Sequence, residues 1–292
     1  MTRDVAERAV IGRIRAAAKY RGVHADTIAD IVRQESGKAA NATDLERRAR
    51  LKLHRVVAGY LLTGRIAHLV RDLAGAEESE AERRELCRAV LAAHFSTAER
   101  LPDLDRFYPA VFGAVGPVRS IADLACALNP FTVPWVRDVT DAEYAGYDLN
   151  LAYVEPGRAF LADRYPGCSV AHHDVLVRPD AITADVALLL KTYHNIEDRQ
   201  PGAGLRLVTE LGSPVVVVSF PVRTMTGRPA PFSWRLLAGL TGLAASRGWQ
   251  ADRVELPTEL VVVVRKAGVG ARASSVRPGA AAEKAGADGA IG

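Results

Sequence analysis

Along the first third of the chain, apolar residues recur every three or four positions between charged ones. That is the period of a helix buried on one face. "DTIADIVRQESG" places Ile28, Ile31 and Val32 on one side and stops at Gly37. "DLERRARLKLHRVVAGYLLTG" follows, with Leu45, Leu53, Val56, Val57, Tyr60 and Leu61 available for packing, and "EAERRELCRAVLAAHF" is a third helical pattern. From about residue 117 the pattern changes to short apolar runs: "SIADLACAL", "EYAGYDLN", "SVAHHDVLV", "ADVALLLKTY", "SPVVVVSFPV", "DRVELP" and "TELVVVVRKA". Helical patterns separate most of them. Runs that are apolar throughout, such as Val215–Val218, fit strands covered on both faces. Alternation of this kind predicts an α/β fold, a mostly parallel sheet with right-handed crossovers. Only Leu256–Thr258 separates the last two strands, which predicts a closing antiparallel hairpin. The expected division is a helical domain over 1–98, an α/β domain over 99–266 and a disordered Ala/Gly-rich tail over 267–292.

Charge changes this picture in one place. Residues 1–75 hold 15 Lys/Arg against 8 Asp/Glu, a surplus of +7 where the whole chain carries only +4. Arg47, Arg48, Arg50, Lys52 and Arg55 crowd a few turns of one predicted helix. A one-sided basic segment points to a polyanion, and a solvated basic face is the alternative. Cys87, Cys126 and Cys168 share no CxxC spacing, and their odd number argues against a disulfide framework. The N-terminus is broken by charge every few residues, unlike a signal peptide or a membrane span. The expectation is a cytoplasmic monomer that does not contact membranes.

In an open α/β sheet, ligands bind beyond the carboxyl ends of the strands. Those ends carry "DLACALNP" after strand one, Asp148 after strand two, Asp174 after strand three, Lys191 after strand four and Ser219 in strand five. An acid at the end of strand two, 25 residues after Asp123, is where a nucleoside-binding domain grips ribose hydroxyls. Asp174, one strand further, is placed to accept from an adenine amino group. Both acids are equally compatible with solvated strand caps. The chain lacks a G-x-G-x-x-G cradle, which disfavours a dinucleotide and favours a nucleoside without phosphates.

The motifs "HFSTAERLPDLDRFYPAVF", "ADLACALNP", "YDL", "HDVL", "LLLKTYHNIEDRQPG" and "VVVSFPVRT" resemble the 16S rRNA guanine-N7 methyltransferases of aminoglycoside resistance, of the fortimicin- and sisomicin-producer type. The resemblance spans roughly residues 18–266. It implies a class I methyltransferase sheet of seven strands, Rossmann-like, using S-adenosyl-L-methionine (SAM). It also implies an N-terminal helical domain that binds RNA, and a target guanine in the decoding-site helix of the 30S subunit. Carried over residue by residue, SAM would meet Tyr60, His94, Phe95 and Ser96 from the helical side. Arg100 would pair with the methionine carboxylate. Ala125 would bring backbone close, Asp148 would take the ribose, Asp174 and Val175 would face adenine, and Leu190 and Gln200 would close the pocket. The rRNA would be met by Arg47, Arg48 and Lys52 and, on the strand-end side, by Lys191, Ser219 and Arg223.

The chain departs from the family at two places. Ala127 stands where the family reads glycine, a substitution that is strained if the position needs positive φ. "KTYHNIE" and "RTMTGRPAPFSW" replace a Pro-containing and a Gly/Lys-rich segment, with the expected lysine absent from the latter. A related group cyclises SAM to azetidine-2-carboxylate, and a pocket bent by Ala127 and Tyr193 would suit that reaction. A non-catalytic RNA-binding protein is the third reading. Guanine N7 has an exposed lone pair and needs no general base, so His94, His172, His173 and His194 are expected to be structural or cofactor-side. No metal ligand set is present in the sequence.

Overall fold

The structure is a computed structural model that describes residues 3–57, 68–70, 79–162, 164–223 and 228–267. Tyr60, Leu61, residues 224–227 of the rewritten segment and the expected disordered tail from 268 lie outside the described residues.

Seven strands form one sheet: β1 Ser120–Leu124, β2 Glu143–Asp148, β3 Cys168–His172, β4 Val186–Leu190, β5 Val215–Pro221, β6 Gln250–Glu255 and β7 Glu259–Arg265. Their order is β3-β2-β1-β4-β5-β7-β6. The first five run parallel, while β7 pairs antiparallel with both β5 and β6, which gives the expected closing hairpin. The chain reverses its direction of travel across the sheet between β1 and β4. Their carboxyl ends therefore diverge and leave a crevice.

Side chains alternate between the two faces with the strand period of two. On one face Val186, Leu188, Val217, Val261 and Val263 pack with Phe107, Tyr108, Val111 and Trp135. On the other, Ala187, Leu189, Val216, Val218, Val262 and Val264 pack with Tyr193, Leu207, Leu237 and Leu240. This double covering is why β4, β5 and β7 read as unbroken apolar runs rather than as alternating ones.

The helices Arg3–Ala16, Ala25–Ser36 and Ala42–Val57 enclose a separate core of Val10, Ile14, Ile28, Ile31, Leu45, Leu53 and Val57. The helix Glu80–Leu91 begins with a capping box, in which Ser79 and Glu82 satisfy each other's backbone N–H. Its Cys87, Val90 and Leu91 join the sheet's core rather than that of the three helices. Among the described residues, the core of the helical unit extends as far as Val57, and the helix Glu80–Leu91 packs with the sheet. All three cysteines are free. Among the described residues no helix is long and apolar enough to cross a membrane, and no cluster of side chains could hold a metal ion.

The helical unit is seated on the carboxyl ends of β2 and β3. His24 N donates to Leu149 O at 2.8 Å, and Leu151 N donates to Gly22 O at 2.9 Å. These bonds place the end of the helix Ala42–Val57 above the crevice.

Candidate active site

The crevice is a cavity of about 450 Å³. Its wall takes Ala125 and Ala127 from the turn after β1, Asp148 from β2, Asp174 and Val175 from beyond β3, and Leu190 and Lys191 from β4. His94, Phe95 and Ser96 line it from one side, and Arg55, Val56 and Val57 of the helical unit line it from another.

Three residues here have left-handed backbone and none is glycine: Ala125 (φ 52), Ala127 (φ 44) and Lys191 (φ 55). Position 127 therefore does need positive φ, which is the reason a glycine suits it. The alanine conformation costs about 1–2 kcal/mol. Hydrogen bonds hold both turns. Ala127 N donates to Asp148 Oδ2 at 3.0 Å, and Lys191 N donates to Ser219 Oγ at 2.9 Å and Ser219 O at 3.2 Å.

Asp148 also accepts from Asn150 N at 2.9 Å through Oδ1. Burial pushes its carboxyl up to about 6, against the pull of the Asn150 and Ala127 N–H groups. Each oxygen keeps a lone pair, so the ionised group can accept from two vicinal hydroxyls. His94 is driven down to about 4 by burial, which keeps the ring neutral at pH 7. Its Nδ1 lies 2.9 Å from Ser96 Oγ and its ring meets Tyr153 edge-on at 5.5 Å.

Several expected ligands are committed elsewhere. Arg100 is fully buried and does not line the cavity. Its Nε and Nη2 donate to Glu259 at 2.6 and 3.0 Å, and its Nη1 donates to Asn129 Oδ1 at 2.9 Å. The expected pairing with a methionine carboxylate thus meets an arginine already held by Glu259 and Asn129. Ser219 is likewise buried beneath the wall, donating to Glu259 Oε2 at 2.6 Å. Lys191 Nζ does reach the cavity, held by Glu99 at 2.9 Å and Glu259 at 3.5 Å. Burial would raise the Glu259 carboxyl, but Arg100 and Lys191 outweigh it and hold the group low.

Asp174 lines the cavity with three hydrogen bonds and an ion pair already on its oxygens. Oδ1 takes Leu176 N and Arg199 Nη1, each at 3.0 Å, while Oδ2 takes Thr27 Oγ1 at 2.6 Å and Arg199 Nη2 at 2.8 Å. Its two oxygens are thus engaged mainly by the protein, with one acceptor site of Oδ2 free of a hydrogen bond among the described residues. Gln200 does not line the cavity and accepts from Gln34 and Arg206 instead. Arg47, Arg48 and Lys52 are paired with Asp44, Glu35 and Glu35 in turn, so none is a bare cation. Arg223 does line the cavity.

Residues that the sequence reading missed include Glu99, Tyr153, Arg199 and Phe232, all on the wall, and Glu259 beneath it. Glu259 had one signal: an acid at the head of the run "ELVVVVR", where a buried charge demands partners.

The residues present fit SAM. The volume lies in the range of small-ligand sites. Alanines expose backbone after β1, an ionisable acid ends β2, and Val175, Leu190 and Ile196 offer apolar surface to a purine.

The seven-stranded order with its antiparallel last strand, and a nucleoside-sized cavity at the switch point, define a class I methyltransferase. The chain belongs to the FmrO family of ribosomal RNA methyltransferases, whose family model matches residues 16–264. It is 34% identical to the 16S rRNA (guanine(1405)-N(7))-methyltransferase of Frankia casuarinae, over 75% of this chain and 79% of that one. Identity is 29% to the protein of the same name in Serratia marcescens, over 87% and 96% of the two chains. Among solved structures, the 16S rRNA methyltransferase RmtF in complex with S-adenosyl-L-homocysteine matches with a TM-score of 0.74 and 25% identity, over 89% of this chain and 98% of that one. The 16S rRNA methylase RmtB matches at 0.72 and 27%, with the same coverage.

Two outcomes follow from the wall. Because the folded-state value of Asp148 is raised, the proton is held more tightly in the folded protein, and stability from this group is lost as pH rises through about 6. Binding of S-adenosyl-L-homocysteine runs the other way, since the ribose needs the ionised form. Its affinity, measured calorimetrically, should fall about tenfold per pH unit below 6, and Asp148→Asn should remove that slope. A slope that survives in Asp148→Asn assigns the titration to another group. For the turn, Ala127→Gly relieves the left-handed alanine but loosens the unfolded chain. Urea unfolding should show a net gain of up to about 1 kcal/mol, and a loss of stability would mean that the methyl group is packed rather than strained.

Proposed function

We propose that the protein transfers the methyl group of SAM to N7 of a guanine in the decoding-site helix of 16S rRNA, acting on assembled 30S subunits and so conferring aminoglycoside resistance. The observation that carries this reading is the cavity itself: a nucleoside site at the strand ends, roofed by a basic helical unit that is part of its wall.

SAM supplies a methyl group on a sulfonium, an electrophile that needs no activation. Guanine N7 offers a lone pair and loses no proton, so the protein's task is to align the two and exclude water. Neutral His94 and salt-bridged Lys191 fit a wall that moves no proton. The target base is stacked in a helix and must be extruded to reach the cavity. Phe95, which is 39% exposed, and Phe232 offer faces on which an extruded purine can stack.

The rRNA-facing cations are reassigned. Arg8, Arg15, Arg21 and Arg33 make no ion pair among the described residues, whereas the Arg47, Arg48 and Lys52 of the sequence reading are neutralised by neighbouring acids. Phosphate contacts are therefore ascribed to the first group, with Arg55 and Arg223 at the cavity. The helical unit 3–57 is the RNA-binding domain in this reading, and 79–267 is the catalytic domain.

The reaction is tested with labelled SAM and purified 30S subunits. Label should enter 16S rRNA at a guanine that becomes cleavable by borohydride and aniline. Release of methylthioadenosine in the absence of RNA, with unlabelled subunits, would instead establish the SAM-cyclising reading. For the binding surface, Arg8→Glu/Arg15→Glu/Arg21→Glu should weaken 30S binding by at least about tenfold near 100 mM salt and flatten its salt dependence. Arg47→Glu alone should cost much less. If Arg47→Glu is the more damaging change, the paired cations are the ones that meet phosphate.

A further inference from the structure

A partly buried line of hydrogen bonds runs from the basic face of the helical unit to the cofactor cavity. Lys52 Nζ donates to Gln34 Oε1 at 2.7 Å. Gln34 Nε2 donates to Asp30 Oδ2 at 2.8 Å, and the same oxygen accepts from Arg199 Nη2 at 2.7 Å. Arg199 in turn grips both oxygens of Asp174, which Thr27 also donates to. Asp174 and Arg199 are 2% and 5% exposed, and both line the cavity. The Nε of Arg199 is buried and has no hydrogen-bond partner among the described residues.

We propose that Arg199 is a positioning residue that locks the helical unit to the cofactor wall, so that rRNA bound on the helical unit and cofactor bound in the cavity strengthen each other. The coupling half of this inference rests on the reading that the helical unit meets rRNA.

Three features carry it. Asp174 takes three hydrogen bonds from the protein and an ion pair from Arg199, so its position on the wall is set by what it holds. Every partner of its two oxygens other than Leu176 comes from Arg199 or the helical unit. The seam is also shared: His24 N to Leu149 O and Leu151 N to Gly22 O anchor the residues beside Asp148 to the same unit. A small shift of the three helices therefore moves the walls carrying Asp148 and Asp174 together. An effect of rRNA on cofactor affinity must be matched by an equal effect of cofactor on rRNA affinity.

The test is the affinity of S-adenosyl-L-homocysteine for the full chain, measured alone and with saturating 30S subunits. For the wild type, subunits should tighten binding by about fivefold or more, the usual scale of such couplings. Arg199→Gln should weaken binding to the free protein by about tenfold and abolish the gain from subunits. Arg199→Lys should restore part of both. Should Arg199→Gln not fold, Thr27→Val removes one hydroxyl without stranding a charge, and should reduce the gain from subunits at least about twofold. A merely structural role would lower the melting temperature and leave the ratio of the two affinities intact. Wild-type affinity and ratio in a folded Arg199→Gln or Thr27→Val variant would overturn the proposal, as would a wild-type ratio of one. Failure of 30S subunits to bind at all would defeat the rRNA reading and the coupling with it. The free-protein affinities would still decide the positioning role of Arg199.

Discussion

The cavity exists because the chain leaves β1 and β4 through backbone that L-residues avoid. Left-handed turns at Ala125, Ala127 and Lys191 swing the main chain aside just where the parallel strands diverge. Each turn carries a conformational penalty of about 1–2 kcal/mol. The compensation is local and visible. Asp148 holds the N–H of Ala127, and Ser219 holds the N–H of Lys191. The same two side chains are tied into larger networks, Asp148 to the loop beneath the helical unit and Ser219 to Glu259. Strain at the wall is thus maintained by groups that cannot relax without disturbing a buried partner.

Beneath the wall the decisive constraint is charge. Glu259 is fully buried and meets Arg100 through two hydrogen bonds, Ser219 through a third and Lys191 at 3.5 Å. A buried ion pair contributes little net stability over an apolar core, but breaking one strands a charge at a cost of about 3–5 kcal/mol. The network therefore acts as a geometric lock. It ties the start of β7 to β5 through Ser219 and to the segments that follow β1 and β4 through Asn129 and Lys191. It also explains why an arginine sits in the core beside Phe107, 4.4 Å from the ring centroid, rather than in the cavity.

What the sequence disclosed and what it withheld divide along contact range. The apolar runs of β4, β5 and β7 announce a doubly covered sheet, and the three-residue gap after β6 announces the hairpin. Asp148 was legible because a rule about strand ends needs only local order. Arg100 was not, because its partner Glu259 lies 159 residues away and no local pattern links them. Asp174 was placed correctly at its strand end, yet its acceptors are filled in part by Thr27, 147 residues upstream. Within the helix Ala42–Val57, counting cations was misleading because Asp44 lies one turn from Arg47 and Glu35 packs across from Arg48 and Lys52.

That last point separates two electrostatic roles that a charge count merges. Ion pairing removes a cation's freedom to grip a phosphate, because its hydrogen-bond donors are already directed elsewhere. It does not remove the surplus. Residues 1–75 remain seven charges positive whichever of them are paired, and the field of that surplus extends over a Debye length of about 8–10 Å. Long-range attraction of a polyanion therefore belongs to the whole helical unit, while in the proposed reading the close contacts belong to the cations that have no acid beside them among the described residues. Of the paired cations, Arg48 and Lys52 turn toward Glu35, and Lys52 begins the line of hydrogen bonds that ends at Asp174, while Arg47 pairs with Asp44 at the surface. The helical unit is consequently two surfaces back to back: an outer one available to an anion and an inner one that completes the cofactor wall. A unit built this way cannot be swapped for another basic module of equal charge, because its inner surface is matched to the strand ends it covers.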